Sequence, residues 1–156
     1  MVYVVVNDAD ETVIDYQSAI RFAGEPLLKL NNIKSEYIQA CIDREMDFPT
    51  GLSLADGQGV AMPHGDSSFV NEDSISVVRL SNPITFGLME DKKQKVKVAL
   101  VFNLALSSGE QHIKVLKKVI ALFQDESFMK KSLADSHKNI AREIKERLDS
   151  DELRVE

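Results

Sequence analysis

The run KVALVFNLAL, Lys97 to Leu106, limits most strongly how this chain can fold. After Lys97 it is apolar except for Asn103. A strand with one wet face would alternate apolar and polar residues, and this one does not. It therefore reads as a central strand, covered on both faces. The rest of the chain must supply the covering layers.

Helical patterns supply them. From about Asp15 to Leu30, Ala19, Ile20, Ala23, Leu27 and Leu30 recur at helical spacing, with Pro26 marking a kink or a new first turn. Ser35 is the expected N-cap of a second helix reaching about Met46, with the stripe Tyr37, Ile38, Cys41, Ile42. Arg44 continues that side of the helix, and Phe48-Pro49-Thr50-Gly51 stops it. Val2–Val6, Val60–Met62 and Ser74–Leu80 read as strands. A helix from about Gly109 to Gln124 carries Ile113, Leu116, Val119, Ile120 and Phe123 on one face, with Ser107 or Ser108 as cap and Glu110 or Gln111 completing a capping box. A helical turn near Ser127 to Leu133 leads to a last helix, about His137 to Asp149, with Ile140, Ile144 and Leu148. The expected fold is α/β: one mixed sheet flanked by helices on both faces, a three-layer α/β/α sandwich. No linker or repeat divides the 156 residues, so residues 1–156 are expected to form a single domain.

Composition narrows the function. The formal net charge is −6, which argues against nucleic acid as the main partner, since phosphate binding needs a net basic face. One cysteine, Cys41, excludes an internal disulfide and a multi-cysteine zinc site, and its place on an apolar stripe reads as structural. The apolar patch Val2–Val6 lacks a basic leader, so it is not read as a signal peptide. No run approaches the roughly 18 apolar residues of a membrane span. The expectation is a cytoplasmic protein with no direct membrane insertion. P-loop, G-x-G-x-x-G and G-x-S-x-G motifs are absent from the sequence, and no metal or cofactor is expected.

The three histidines can be weighed one by one. His64 stands in GVAMPHGD, after a strand, between Pro63 and Gly65. Proline fixes the backbone on one side, and glycine admits a close approach on the other. Two readings fit: a solvated loop residue, or a nucleophile presented to something outside, suited to accept and release a phosphoryl group. His112, in SSGEQHIKVL, starts a helix whose N-terminus favours an anion. It could steady a phosphoryl group on a nearby imidazole, or simply be an exposed first-turn residue. His137, in ADSHKNIAREI, reads as surface. Arg44 suits phosphate oxygens, or serves only as a cation at a helix C-terminus. Leu116–Lys118 reads as a solvated edge. His64, His112 and Asp66 together would make a weak zinc pattern, the basis of a distant alternative as a metal-dependent hydrolase.

GVAMPHG, together with EQHIKVLKKVIALFQDESF and REMDFPTG, resembles the EIIA domains of the fructose–mannitol group of the bacterial phosphoenolpyruvate-dependent sugar phosphotransferase system. The likeness runs from about Thr12 to Leu148. AIRFAGEPLLK resembles mannitol-type domains and REMDFPTGL galactitol-type ones, some of which lack a second histidine corresponding to His112. The resemblance implies the same sandwich fold and a role as phosphocarrier. His64 would take a phosphoryl group from phospho-HPr, His112 would stabilise it, and Arg44 would offset its charge. Thr50 and Gly51 would lie beside the site. The group would pass to a cysteine of EIIB, and so to a galactitol-, mannitol- or fructose-type substrate entering through the membrane component EIIC. The alternative the resemblance leaves open is a nitrogen-type regulatory module that binds partners according to its phosphorylation. Both ends read as ordinary termini, so a free-standing subunit is expected.

Overall fold

A computed structural model describes residues 2–149. Its chain order is β1 (Tyr3–Asp8), α1 (Tyr16–Lys29), α2 (Glu36–Asp47), β2 (Gly51–Ser53), β3 (Gly59–Ala61), β4 (Ser74–Leu88), β5 (Asp91–Ala105), α3 (Glu110–Phe123), α4 (Glu126–Ala134) and α5 (His137–Asp149). The expected domain bounds at Met1 and 150–156 lie outside the described residues.

The apolar run forms the inner part of β5, and Leu100 to Leu106 are all buried. On one face, Leu100, Phe102 and Leu104 meet Val119 and Leu122 of α3, Phe128 of α4 and Ile144 of α5. On the other, Val98 and Val101 meet Ala19 and Ala23 of α1, and Ala105 packs among Tyr37, Cys41 and Ile42 of α2. The three-layer sandwich is as expected. β4 runs antiparallel to β5 and parallel to β1. β3 runs parallel to β5 and antiparallel to β2. The sheet closes on itself where Gly51 of β2 meets Leu88 at the end of β4.

β4 and β5 extend well beyond the expected limits of Leu80 and Lys97, as a hairpin turning at Met89 and Glu90. The outer half escapes a hydrophobicity reading because only one side of it is buried, through Ile84 and Phe86. Pro83 sits where the register shifts between Arg79 and Ile84, and a bulge tolerates its missing N–H.

Several local expectations change. α1 continues through Pro26 without a break. Ser35 is helical and makes no capping bond, while its hydroxyl donates to Glu36 at 3.3 Å. Neither Ser107 nor Ser108 caps α3: the N-cap is Gly109, at φ 95°, a left-handed conformation that glycine adopts freely. The Ser107 N–H instead donates to the Asp73 carboxylate at 2.7 Å. The Gln111 side chain lies outside the described residues. In α3, Val115 and Leu122 join Val119 and Phe123 in the core, whereas Ile113 and Ile120 face solvent. Leu116 packs against the core, and the Lys118 ammonium donates to the Leu148 carbonyl at 2.6 Å, so this edge is not simply solvated. The turn before α5 is a nine-residue helix capped by Asp125.

One buried polar link ties α2 to β5. The Tyr37 hydroxyl lies 2.9 Å from the Leu104 carbonyl and 3.2 Å from the Asn103 side-chain oxygen, and it can donate to either. Tyr37→Phe leaves those acceptors buried and short of a donor. It should lower unfolding stability by about 1–3 kcal/mol in urea denaturation.

Candidate active site

The site forms where β3 ends against β5. β3 ends at Ala61, the chain runs on through Met62-Pro63-His64, and the Pro63 carbonyl accepts the Leu104 N–H at 3.0 Å. The corner is therefore hung on the central strand. The half-buried His64 ring bonds through Nδ1 to the Met62 carbonyl at 3.0 Å. A carbonyl can only accept, so Nδ1 carries the proton and Nε2 keeps its lone pair. No described residue hydrogen-bonds Nε2. Burial lowers the His64 pKa below the ordinary histidine value, and Arg44 and His112 push the same way. The Met62 bond opposes them. The ring is thus biased toward its neutral, nucleophilic form.

Gly65 has a use different from the one the sequence suggested. A Cβ there would lie 3.1 Å from both the Cys41 sulfur and its backbone nitrogen. The missing side chain admits helix α2 against the corner. Cys41 itself is buried, and burial pushes its thiol up to about 12, so it is an inert structural residue as expected.

The expected residues converge. The His112 ring, in the first turn of α3, lies 6.3 Å from the His64 ring, centroid to centroid, at 71°. Arg44 extends from the end of α2, exposed, with its guanidinium 5.3 Å from the Phe48 ring centroid. His64, His112 and Arg44 line one open cleft of about 670 Å³ that also includes Ser108 and Gly109 at the α3 N-terminus. A second, of about 410 Å³, lies against His64, Arg44, Thr50, Phe48, Met89 and Lys92. An apolar rim surrounds both: Phe48 is 63% exposed, Ile113 55% and Met89 41%.

Other candidates fall away from the chemistry. The His137 Nε2 lies 3.3 Å from Asp8, and the clefts against His64 do not include it. Asp66 accepts from the Ser68 N–H at 2.9 Å and hydroxyl at 2.8 Å, capping a short 3-10 turn. Among the described residues, no three His, Cys, Asp or Glu side chains are grouped to hold a metal.

Two residues near the site went unread in the sequence. Lys92 belongs to the unexpected half of the hairpin. Glu45 was legible in principle, because it continues the buried stripe four residues after Cys41. It is 4% exposed, and its carboxylate accepts the Thr50 N–H at 2.7 Å and the Thr50 hydroxyl at 2.9 Å. Burial raises its pKa to about 7 against those hydrogen bonds and the nearby Arg44.

The sequence profile of the family described as "Phosphoenolpyruvate-dependent sugar phosphotransferase system, EIIA 2" matches residues 5–147. The chain belongs to this EIIA family. Its components are phosphotransferases of the sugar phosphotransferase system. The chain is 32% identical to a mannitol-specific enzyme IIA component of Enterococcus faecalis over 70% of this chain and 72% of that one. It is 27% identical to the galactitol-specific EIIA component of Escherichia coli K12, over 71% and 73%. It is also 33% identical to the mannitol-specific EIICBA component of E. coli over 74% of this chain, but spans only 17% of that longer protein. The structure of an E. coli complex of enzyme IIA and phosphorylated enzyme IIB for mannitol superposes with a TM-score of 0.67 at 26% identity, covering 88% of this chain and 92% of that one.

Glu45 makes a testable contribution to the stability of this EIIA domain. Its folded pKa of about 7 lies above the ordinary glutamate value of 4.5, so between these values the folded state holds the extra proton. Stability from this group therefore falls as pH rises through that window. Arg44, Cys41 and Tyr16 interact with it electrostatically, and Lys92 and Lys95 share a small cavity with it. The stability of Glu45→Gln relative to wild type should rise from pH 5 to pH 8, by about 1–3 kcal/mol in parallel urea titrations.

Proposed function

We propose that this chain is the phosphocarrier EIIA component of a polyol phosphotransferase system, with a mannitol- or galactitol-type substrate. One observation carries the reading: His64 is held by Nδ1 while its Nε2 stays unengaged beside Arg44 and His112. The Nε2 lone pair attacks phosphorus in phospho-HPr. The new P–N bond forms as the bond to the HPr histidine breaks, and the proton stays on Nδ1, donated to the Met62 carbonyl. Little covalent chemistry is needed, so positioning and charge carry the catalysis. Arg44 offsets the charge spread over the equatorial oxygens. His112 donates to one of them, helped by the positive end of α3. In the second step the EIIB cysteine thiolate attacks the same phosphorus from the open side, and His64 leaves as neutral imidazole. EIIC takes part indirectly, as the membrane component that admits the sugar. The exposed rim of Phe48, Ile113 and Met89 gives both protein partners an apolar face to dock against.

The mannitol and galactitol relatives support the substrate class. The E. coli IIA–IIB complex supports EIIB as acceptor. No helix among the described residues is long and apolar enough to cross a membrane, which suits a cytoplasmic carrier.

Intact-mass measurement with phosphoenolpyruvate, enzyme I and HPr should show one acid-labile phosphoryl group on wild type and none on His64→Ala. Labelling of His64→Ala at the wild-type level rejects the site. Arg44→Gln and His112→Gln should still be labelled, at rates about 10²–10³-fold lower in rapid-quench kinetics. Adding cognate EIIB should strip the group from wild type. Acceptance with no onward transfer would favour the regulatory role instead.

A further inference from the structure

The His64 corner is fixed from inside by a chain of hydrogen bonds that begins at a buried carboxylate. Glu45 lies at the end of α2, Thr50 just before β2, and Met62 just after β3. The carboxylate accepts both the N–H and the hydroxyl proton of Thr50. With its proton committed to Glu45, the Thr50 oxygen accepts the Met62 N–H at 3.1 Å. The Met62 carbonyl then accepts the His64 Nδ1–H. A residue before proline favours an extended backbone, so fixing the Met62 N–H also restricts the direction of its carbonyl.

We propose that Glu45 is a positioning residue: acting through Thr50 and the Met62 peptide groups, it keeps the His64 proton on Nδ1 and so leaves Nε2 as the phosphoryl acceptor. The role rests on the phosphocarrier reading for its purpose, though not for its geometry. A buried carboxylate is an expensive way to fill this position, since an apolar side chain would avoid the desolvation cost. What it adds is acceptor capacity. Ionised, it has no proton to donate and can receive both Thr50 donors at once. Glutamine offers one acceptor oxygen and an amide that donates, so it cannot take both Thr50 protons equally well. Tyr16 from α1, Arg44 and Cys41 from α2, and Lys92 and Lys95 from β5 are the titratable or charged groups around it.

The test reads the ring directly, with no phosphoryl donor present. Long-range ¹H–¹⁵N NMR of unphosphorylated protein at pH 8 reports which His64 nitrogen bears the proton. Wild type should show Nδ1–H and a bare Nε2. Thr50→Val, nearly isosteric but without the hydroxyl, and Glu45→Gln should each shift the tautomer ratio about fivefold toward Nε2–H, the change expected for one neutral hydrogen bond. Thr50→Ser keeps the hydroxyl and should restore the wild-type ratio. Wild type protonated on Nε2 overturns the proposal, as does an unchanged ratio in folded Thr50→Val and Glu45→Gln. Loss of the fold in both variants would mark the carboxylate as structural alone and overturn it equally. Because the readout needs neither HPr nor EIIB, its failure is distinct from a failure of the phosphocarrier reading.

Discussion

The structure around the site depends on the two backbone groups of Leu104. A strand residue turns its N–H and C=O to the same side. On the β3 side of β5 that partner strand ends at Ala61, and both groups of Leu104 need new partners in a dry interior. The Pro63 carbonyl accepts the N–H, and the Tyr37 hydroxyl, 2.9 Å away, is placed to donate to the carbonyl. The first bond hangs the His64 corner on the central strand. The second docks α2 beside it. The end of one short strand thus places both His64 and the helix that carries Arg44.

Helix α2 then serves the site from three positions. Cys41 lies under Gly65, close enough that any side chain at Gly65 would strain the contact. Glu45, one turn later, points inward to Thr50. Arg44, next to it, points outward into the cleft. Helical geometry sends successive residues about 100° apart, so one turn can brace the corner from within and place a cation at its mouth. The overall charge of −6 sets no obstacle, because the charge that matters is local: Arg44 and Lys92 both stand beside His64.

Much of this was legible in the sequence, for identifiable reasons. The run before Leu106, apolar but for Asn103, announced a strand buried on both faces, and the sandwich followed. The corner at His64 was readable from Pro63 and Gly65, although Gly65 turned out to admit the chain's own helix. That His64 meets His112 followed only from the family resemblance, since their contact depends on how the end of β3 and the start of α3 meet across β5. The outer hairpin was missed because its pairing is backbone bonding with only Ile84 and Phe86 buried, and Lys92 was missed with it. The caps at Ser35 and Ser107 or Ser108 failed because residue type suggests a cap but backbone angle decides it. Gly109 reached an angle that serine rarely adopts. Glu45 sat in plain view on the apolar stripe and was passed over because charge is normally read as exposure.

In the role proposed above, the arrangement answers a conflict that any protein-to-protein phosphocarrier faces. Its histidine must be dry enough to stay neutral and open enough to meet two macromolecules in turn. Burial depresses the His64 pKa and supplies the first condition. The bonds described above that hold the ring and its corner come from behind: Met62, Thr50 and Glu45 on one side, Leu104 on the other. None of them occupies Nε2. On the open side stand Arg44 and the start of α3, which can bind phosphoryl oxygens without touching the nitrogen that must be free to attack. Support and reactivity are thereby divided between the two faces of one imidazole, so under the proposed function a partner would leave with the phosphoryl group without disturbing what holds the ring in place.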